Sequence, residues 1–275
     1  MESAAEWKQF YAAERSRLGA AAMLAMVDAA TPITVRAGGA IVVPHTRFEI
    51  TGHQIATAVA TVLASGADTV LALGVLHGAR RTDRDRVAAA RAGDAEAVTA
   101  LRGVHDEAGL AAEEFSLDAF VELVAVAAER HGRRVDVVRR YPFLVGDAPH
   151  TLPGIDDLRA MAASSLLVVT TDPIHHGRAY DTPTADCLDP SDPATIAAVR
   201  SMIDEQLAAL SEHRFGDFAR LAERHRSDFR DTGPVLAHLV GEGFEPTVHD
   251  LALVDYAEVL SAAGPSWVAG ALVTL

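Results

Sequence analysis

The sequence predicts one layered α/β domain over residues 1–275, with a central mixed, largely parallel sheet flanked by helices. Three observations predict it. Short apolar runs rich in β-type residues alternate with longer stretches of helical periodicity. The first four runs are continuously apolar, as strands covered on both faces are, rather than alternating with polar residues. No repeat or low-complexity linker divides the chain, and 275 residues that are 49% hydrophobic can bury one sizeable core.

The elements follow in order. Residues 6–28 place Trp7, Phe10, Tyr11 and Leu18 at helix-like spacings. Ala40–Val43 reads as the first strand, 53–63 as a helix and Thr69–Leu73 as the second strand. Residues 116–129 read as a helix with Ser116 as its N-cap, because a serine hydroxyl can accept from the free amides of a first turn. Residues 135–138 and Leu166–Thr170 are the next strands. Residues 181–193 read as a loop, broken by Pro183, Pro190 and Pro193; a helix at 194–210 and two final strands at 248–254 and 267–273 complete the pattern.

Composition narrows the function. With 38 Asp and Glu against 24 Lys and Arg, the formal charge of −14 repels phosphate backbones and anionic lipid, so neither a nucleic-acid nor a membrane partner is expected. The single cysteine, Cys187, excludes an internal disulfide and a Cys-rich zinc module, so a metal here must be held by histidine and carboxylate. The amino terminus lacks the basic start and apolar core of a signal peptide, and no run approaches the roughly 18 apolar residues that span a bilayer. A soluble, cytoplasmic protein is the expectation.

The twelve histidines inform by placement. His45 falls two residues after the first strand, His77 four after the second, and the pair His175 and His176 five and six after Leu166–Thr170. Each lies just past a strand's carboxyl end, where open α/β sheets present loop side chains into a shared crevice. Pro44 holds the residue before it extended and so gives His45 a rigid lead-in. Gly74 and Gly78 bracket His77 and permit close backbone approach to a ligand. Asp172, three residues before His175, supplies a carboxylate that can orient an imidazole or a water.

These strings carry a resemblance. Pro44-His45-Thr46-Arg47-Phe48-Glu49-Ile50-Thr51-Gly52 is similar to a P-H-A-G-Y-x-Y-S-G motif, and Leu73-Gly74-Val75-Leu76-His77 to L-G-x-S-H. Glu114-Phe115-Ser116-Leu117-Asp118 is similar to E-H-S-L-E, and Thr171-Asp172-Pro173-Ile174-His175 to S-D-x-S-H. In that order, over residues 40–234, they resemble the Memo family and the related LigB-type class III extradiol dioxygenases. The chain departs from the pattern at Phe48, Ile50, Leu76 and Phe115, which replace tyrosines, a serine and a histidine and make the pocket drier. Where Memo proteins have C-G-x-x-P, this chain has Arg230-Asp231-Thr232-Gly233-Pro234, without the cysteine.

The resemblance implies a non-haem Fe(II) oxygenase, a metal-dependent oxidoreductase acting on a small phenolic or enediol-like substrate with O2. Two imidazoles and one carboxylate on one face of iron leave positions open for substrate and dioxygen. His45 and His77 are the expected metal ligands, with Asp231 as the third and Asp228 as its substitute. His175 is the expected catalytic base, with His176 as alternate and Asp172 assisting, since an imidazole titrates near working pH. Arg47, Phe48 and Arg178 are the expected substrate contacts, with Arg80 and Arg81 as further cations near the histidine motifs. Two alternatives stay open: a zinc hydrolase in the same cup, and a non-catalytic Memo-like binding protein. A homo-oligomer is also left open.

Overall fold

The computed structural model describes residues 3–79 and 81–275, the side chain of Arg81 excepted. The helices are α1 (Ala4–Ala29), α2 (Phe48–Ser65), α3 (Arg84–Arg91), α4 (Ala95–Leu101), α5 (Asp118–Arg130), α6 (Ile155–Ala162), α7 (Pro193–Ser211), α8 (Phe215–Arg224) and α9 (Phe229–Val240). The strands are β1 (Ala40–Val43), β2 (Thr69–Leu73), β3 (Gly103–His105), β4 (Asp136–Phe143), β5 (Leu166–Thr170), β6 (Ile174–Gly177), β7 (Thr247–Asp255) and β8 (Ser266–Thr274). This is the α/β class, with a mixed, largely parallel central sheet flanked by helices in a single compact domain.

The centre of the sheet is parallel, in the order β4, β2, β5, β1. Antiparallel strands finish both sides: β3 on β4, and β8 on β1. One edge of β8 serves two partners, β1 at Val273 and Thr274 and β6 at residues 266–269, while β7 pairs along its other edge.

The apolarity of β1, β2 and β5 has a direct cause, because alternate side chains enter separate cores on opposite faces, whereas β4, expected to share it, carries Asp136, Arg139 and Arg140 and is only partly buried. Ile41, Val43, Val70, Ala72 and Val168 pack with α1, α2 and α5. Ala40, Val42, Leu71, Leu73, Leu167 and Val169 pack with α6, α7, α8 and α9. The order β2, β5, β1 has one functional consequence. It sets three parallel carboxyl ends side by side, about 4.8 Å apart from strand to strand, and each of them leads into a histidine motif.

Several local expectations differ from what forms. Residues 174–177, expected as loop, make strand β6. Ser116 does not cap α5: its hydroxyl donates to the Val75 carbonyl, and the cap position is Leu117. α9 contains Gly233-Pro234 and packs closely there, since a Cβ on Gly233 would sit 2.8 Å from the Phe218 ring. Among the described residues, no helix is long and apolar enough to cross a membrane.

Candidate metal centre

His45 leaves β1, His77 follows β2 and Asp172 follows β5, so three adjacent strand ends deliver these three, and His175 comes in on β6. Asp172 ties them together. Its Oδ1 accepts from the His45 amide at 3.1 Å, and its carbonyl accepts from the Asp228 amide at 3.2 Å. The His175 amide donates to the His225 carbonyl at 3.0 Å, and its Nδ1 donates to the Arg226 carbonyl at 2.9 Å. The segment before α9 is thereby bound to the end of β5, and it carries Asp228 into the centre.

Three imidazoles converge on that carboxylate. Asp228 Oδ2 lies 3.4 Å from His45 Nε2, 3.2 Å from His77 Nε2 and 3.5 Å from His175 Nε2. Asp172 Oδ2 lies 3.5 Å from His45 Nε2. The opposite ring nitrogens are engaged elsewhere: His45 Nδ1 with Thr170 Oγ1 at 3.1 Å, and His77 Nδ1 with Glu114 Oε1 at 3.2 Å. A carbonyl only accepts, so the Nδ1 of His175 holds a proton and its Nε2 points inward; His77 meets an accept-only carboxylate at each ring nitrogen, so both carry protons until a metal displaces the one on Nε2. Glu114 is itself fixed, accepting from the amides of His77, Gly78, Phe115 and Ser116.

Electrostatics follow from this packing. Burial opposes charge on His77, but Asp228 and Glu114 outweigh it and push its pKa up to about 10. Burial would raise Asp228, yet His175 and His77 hold it well below the usual carboxylate range. Asp172, buried, moves up despite the neighbouring His45 and His175. Two groups bring ligand atoms within 4.8 Å of one another, His45 with His77 and Asp228, and Asp172 with His175 and Asp228.

The cluster opens into a cavity of about 260 Å³. Its walls are aromatic. Phe115 stacks on His77 with centroids 5.0 Å apart, and Tyr180 meets His175 edge-on at 5.1 Å. The roof is the first half of α1, which brings Trp7 and Tyr11 over the imidazoles. It is pinned by Lys8 Nζ to the Glu114 carbonyl (2.9 Å), Tyr11 to the Tyr256 hydroxyl (2.8 Å), and Glu14 Oε2 to the Phe48 amide (2.6 Å). The Tyr256 hydroxyl also meets Thr46 Oγ1 at 2.6 Å. Burial raises the pKa of Tyr11, Tyr180 and Tyr256, so these phenols stay protonated.

The expected residues therefore divide. His45, His77, Asp172 and His175 meet in one cluster. Asp231 does not: it lies in the first turn of α9, with Oδ1 accepting from the Val145 amide at 2.9 Å, and its substitute Asp228 faces the imidazoles. His176 points off the other side of β6, stacks on Trp267 at 4.6 Å and accepts from the Leu188 amide. Arg47 is committed to Glu14 and Glu49, and Phe48 is buried beneath α1. Arg178 donates to Thr184 outside the cavity, and Cys187 contacts the carbonyls of Thr182 and Pro183. Arg80 and the Arg81 side chain lie outside the described residues.

Trp7, Tyr11, Glu114, Tyr180 and Tyr256 went unread as site residues. Glu114 alone had a signal, as the first residue of the third motif. Trp7 and Tyr11 read as the apolar stripe of a helix, and no spacing relates them to a strand end. A scan against family models and a search of curated proteins found no match.

Proposed function

We propose that the chain is a non-haem Fe(II)-dependent oxygenase of the class III extradiol type, acting on a small phenolic or enediol-like substrate with O2 in the cytoplasm. The observation that carries this reading is the convergence of His45, His77 and Asp228, a 2-His-1-carboxylate set with its ligand atoms within 4.8 Å of one another. The donor chemistry fits a cation. Inward lone pairs gathered around an ionised carboxylate need a proton or a metal between them, and Thr170 and Glu114 hold the outer nitrogens as partners of metal-bound histidines do. The four motifs that resemble the LigB-type dioxygenases favour iron. Bound there, Fe(II) would supply dioxygen activation and an electron path between substrate and oxygen.

The chain's own groups divide the remaining work. His175 presents its Nε2 lone pair to the cavity and accepts a proton from a substrate hydroxyl, with Asp228 and Asp172 stabilising the resulting charge. The neutral phenols of Tyr11, Tyr180 and Tyr256 are hydrogen-bonding groups rather than bases. Phe115 and Trp7 offer flat apolar surface to a ring, and a cavity of about 260 Å³ suits one small molecule and little water.

Anaerobic reconstitution with Fe(II), metal analysis and O2 uptake across phenols and enediols test the proposal. One iron per chain and substrate-dependent uptake are expected. Retention of zinc with no O2 uptake under any loading, or a folded chain that holds no metal, would overturn it.

A further inference from the structure

A second cavity, larger than the aromatic one, adjoins it. A groove of about 800 Å³ lies between α8, the start of α9 and the end of α3, and Asp228 lines both it and the metal centre. Arg91, Arg224, Arg226 and Arg230 line this groove. Glu223, Asp228 and Asp231 line it too, so the acids offset the arginines only in part. Asp228 is shared with three imidazoles, Asp231 is half-buried and accepts from the Val145 amide, and Glu223 is exposed.

The guanidiniums are weakly engaged. Arg226 reaches Asp181 only at 3.7 Å, Arg230 reaches Asp231 only at 3.9 Å, and the Arg224 guanidinium is exposed and makes no ion pair among the described residues. Arg91 donates to the Leu76 carbonyl and lies over the Phe143 ring, so it is a fixed cation. Its pKa is lowered, first by burial and next by the like charge of Arg230, with Asp231, Glu114 and Asp228 acting in the opposite direction. In a chain of net charge −14, such a gathering stands against the general field.

We infer that this groove is a second binding site, taking a small organic anion that bears a phosphate group or several carboxylates. Guanidinium forks pair bidentately with such oxyanions. A groove of that volume with four arginines exceeds the needs of one carboxylate, and a multiply charged ligand would relieve the Arg91–Arg230 repulsion. The inference does not depend on which metal, if any, the neighbouring cluster holds.

The test is calorimetric titration of the intact chain with inorganic pyrophosphate, citrate and acetate at low salt. Saturable pyrophosphate or citrate binding is expected, with acetate at least about tenfold weaker. Arg224→Gln/Arg230→Gln, on two exposed side chains, is expected to weaken it at least about tenfold. Arg36→Gln/Arg134→Gln, which removes the same charge elsewhere, should leave it unchanged. Retained affinity in His45→Ala/His77→Ala separates groove binding from chelation at the cluster. No saturation by either polyanion, equal losses in the two arginine pairs, or tighter binding of an oligonucleotide than of pyrophosphate would overturn the proposal.

Discussion

At the scale of the residue, Asp228 and Asp231 test the assignment most sharply, because they lie one helical turn apart and only one faces the imidazoles. Asp228→Asn is expected to abolish metal retention, and Asp231→Asn to leave it within about twofold of the parent; metal analysis after gel filtration reads both. Thr170→Val, which deletes the hydroxyl behind His45, is expected to weaken metal affinity roughly 10- to 100-fold without unfolding the chain. A chelator competition titration measures it. The four residues that meet in the cluster were legible as candidates because strands are the most readable elements and each residue follows one closely. The choice between the two aspartates was not, since it turns on where α9 begins: Asp228 stands ahead of the first turn and Asp231 within it.

The pH dependence also belongs to this scale. The folded-state pKa of His77, raised from 6.5 to about 10, makes it bind its proton more tightly folded than unfolded. In the metal-free chain its contribution to stability is therefore complete below pH 6.5 and is lost as pH rises through about 10. Asp228 runs the other way, contributing above its ordinary 3.8 and losing that contribution as pH falls through its depressed value. Metal must displace the His77 proton, so the rise in Tm on metal addition is expected to grow between about pH 6 and 9. Calorimetry with and without chelator checks this; a gain that shrinks with pH would contradict it.

At the scale of the element, α1 matters most. Its two halves meet at Gly19, whose φ of 75° and ψ of 156° belong to backbone that side chains rarely adopt. The second half buries Met23 and Val27 in the core, and the first swings over the cavity. Gly19→Ala is expected to cost about 1–3 kcal/mol by urea denaturation and to raise the KM for substrate as the roof loses its angle. Residues 6–28 read as one uninterrupted helix, since an isolated glycine is tolerated in such a pattern. Strand β6 escaped notice for a related reason: Ile174-His175-His176-Gly177 is too short and polar to read as a strand, and forms because β8 offers it a free edge.

At the scale of the molecule, the centre joins parts that would otherwise be held separately. Its side chains come from the ends of β1, β2 and β5 and from the segment before α9, and so tie the helical layer on one face to the sheet. A metal that binds only the folded chain stabilises it by mass action, about 2.7 kcal/mol at a hundredfold excess over Kd. The urea midpoint is expected to rise accordingly with an unchanged m-value. The layered class, the single domain and the central parallel strands were legible from alternation and apolarity. The antiparallel closure by β8 was not, because pairing between residues 41 and 274 leaves no local trace.

The chain has two tryptophans, and they report on different places. Trp267 is sealed beneath His176, whereas Trp7 sits in the roof against the Tyr11 and Tyr256 rings. In a Trp267→Phe background, the remaining indole would emit from the ceiling alone. Its fluorescence would give a continuous optical readout of whether the chamber is shut, with no dye attached.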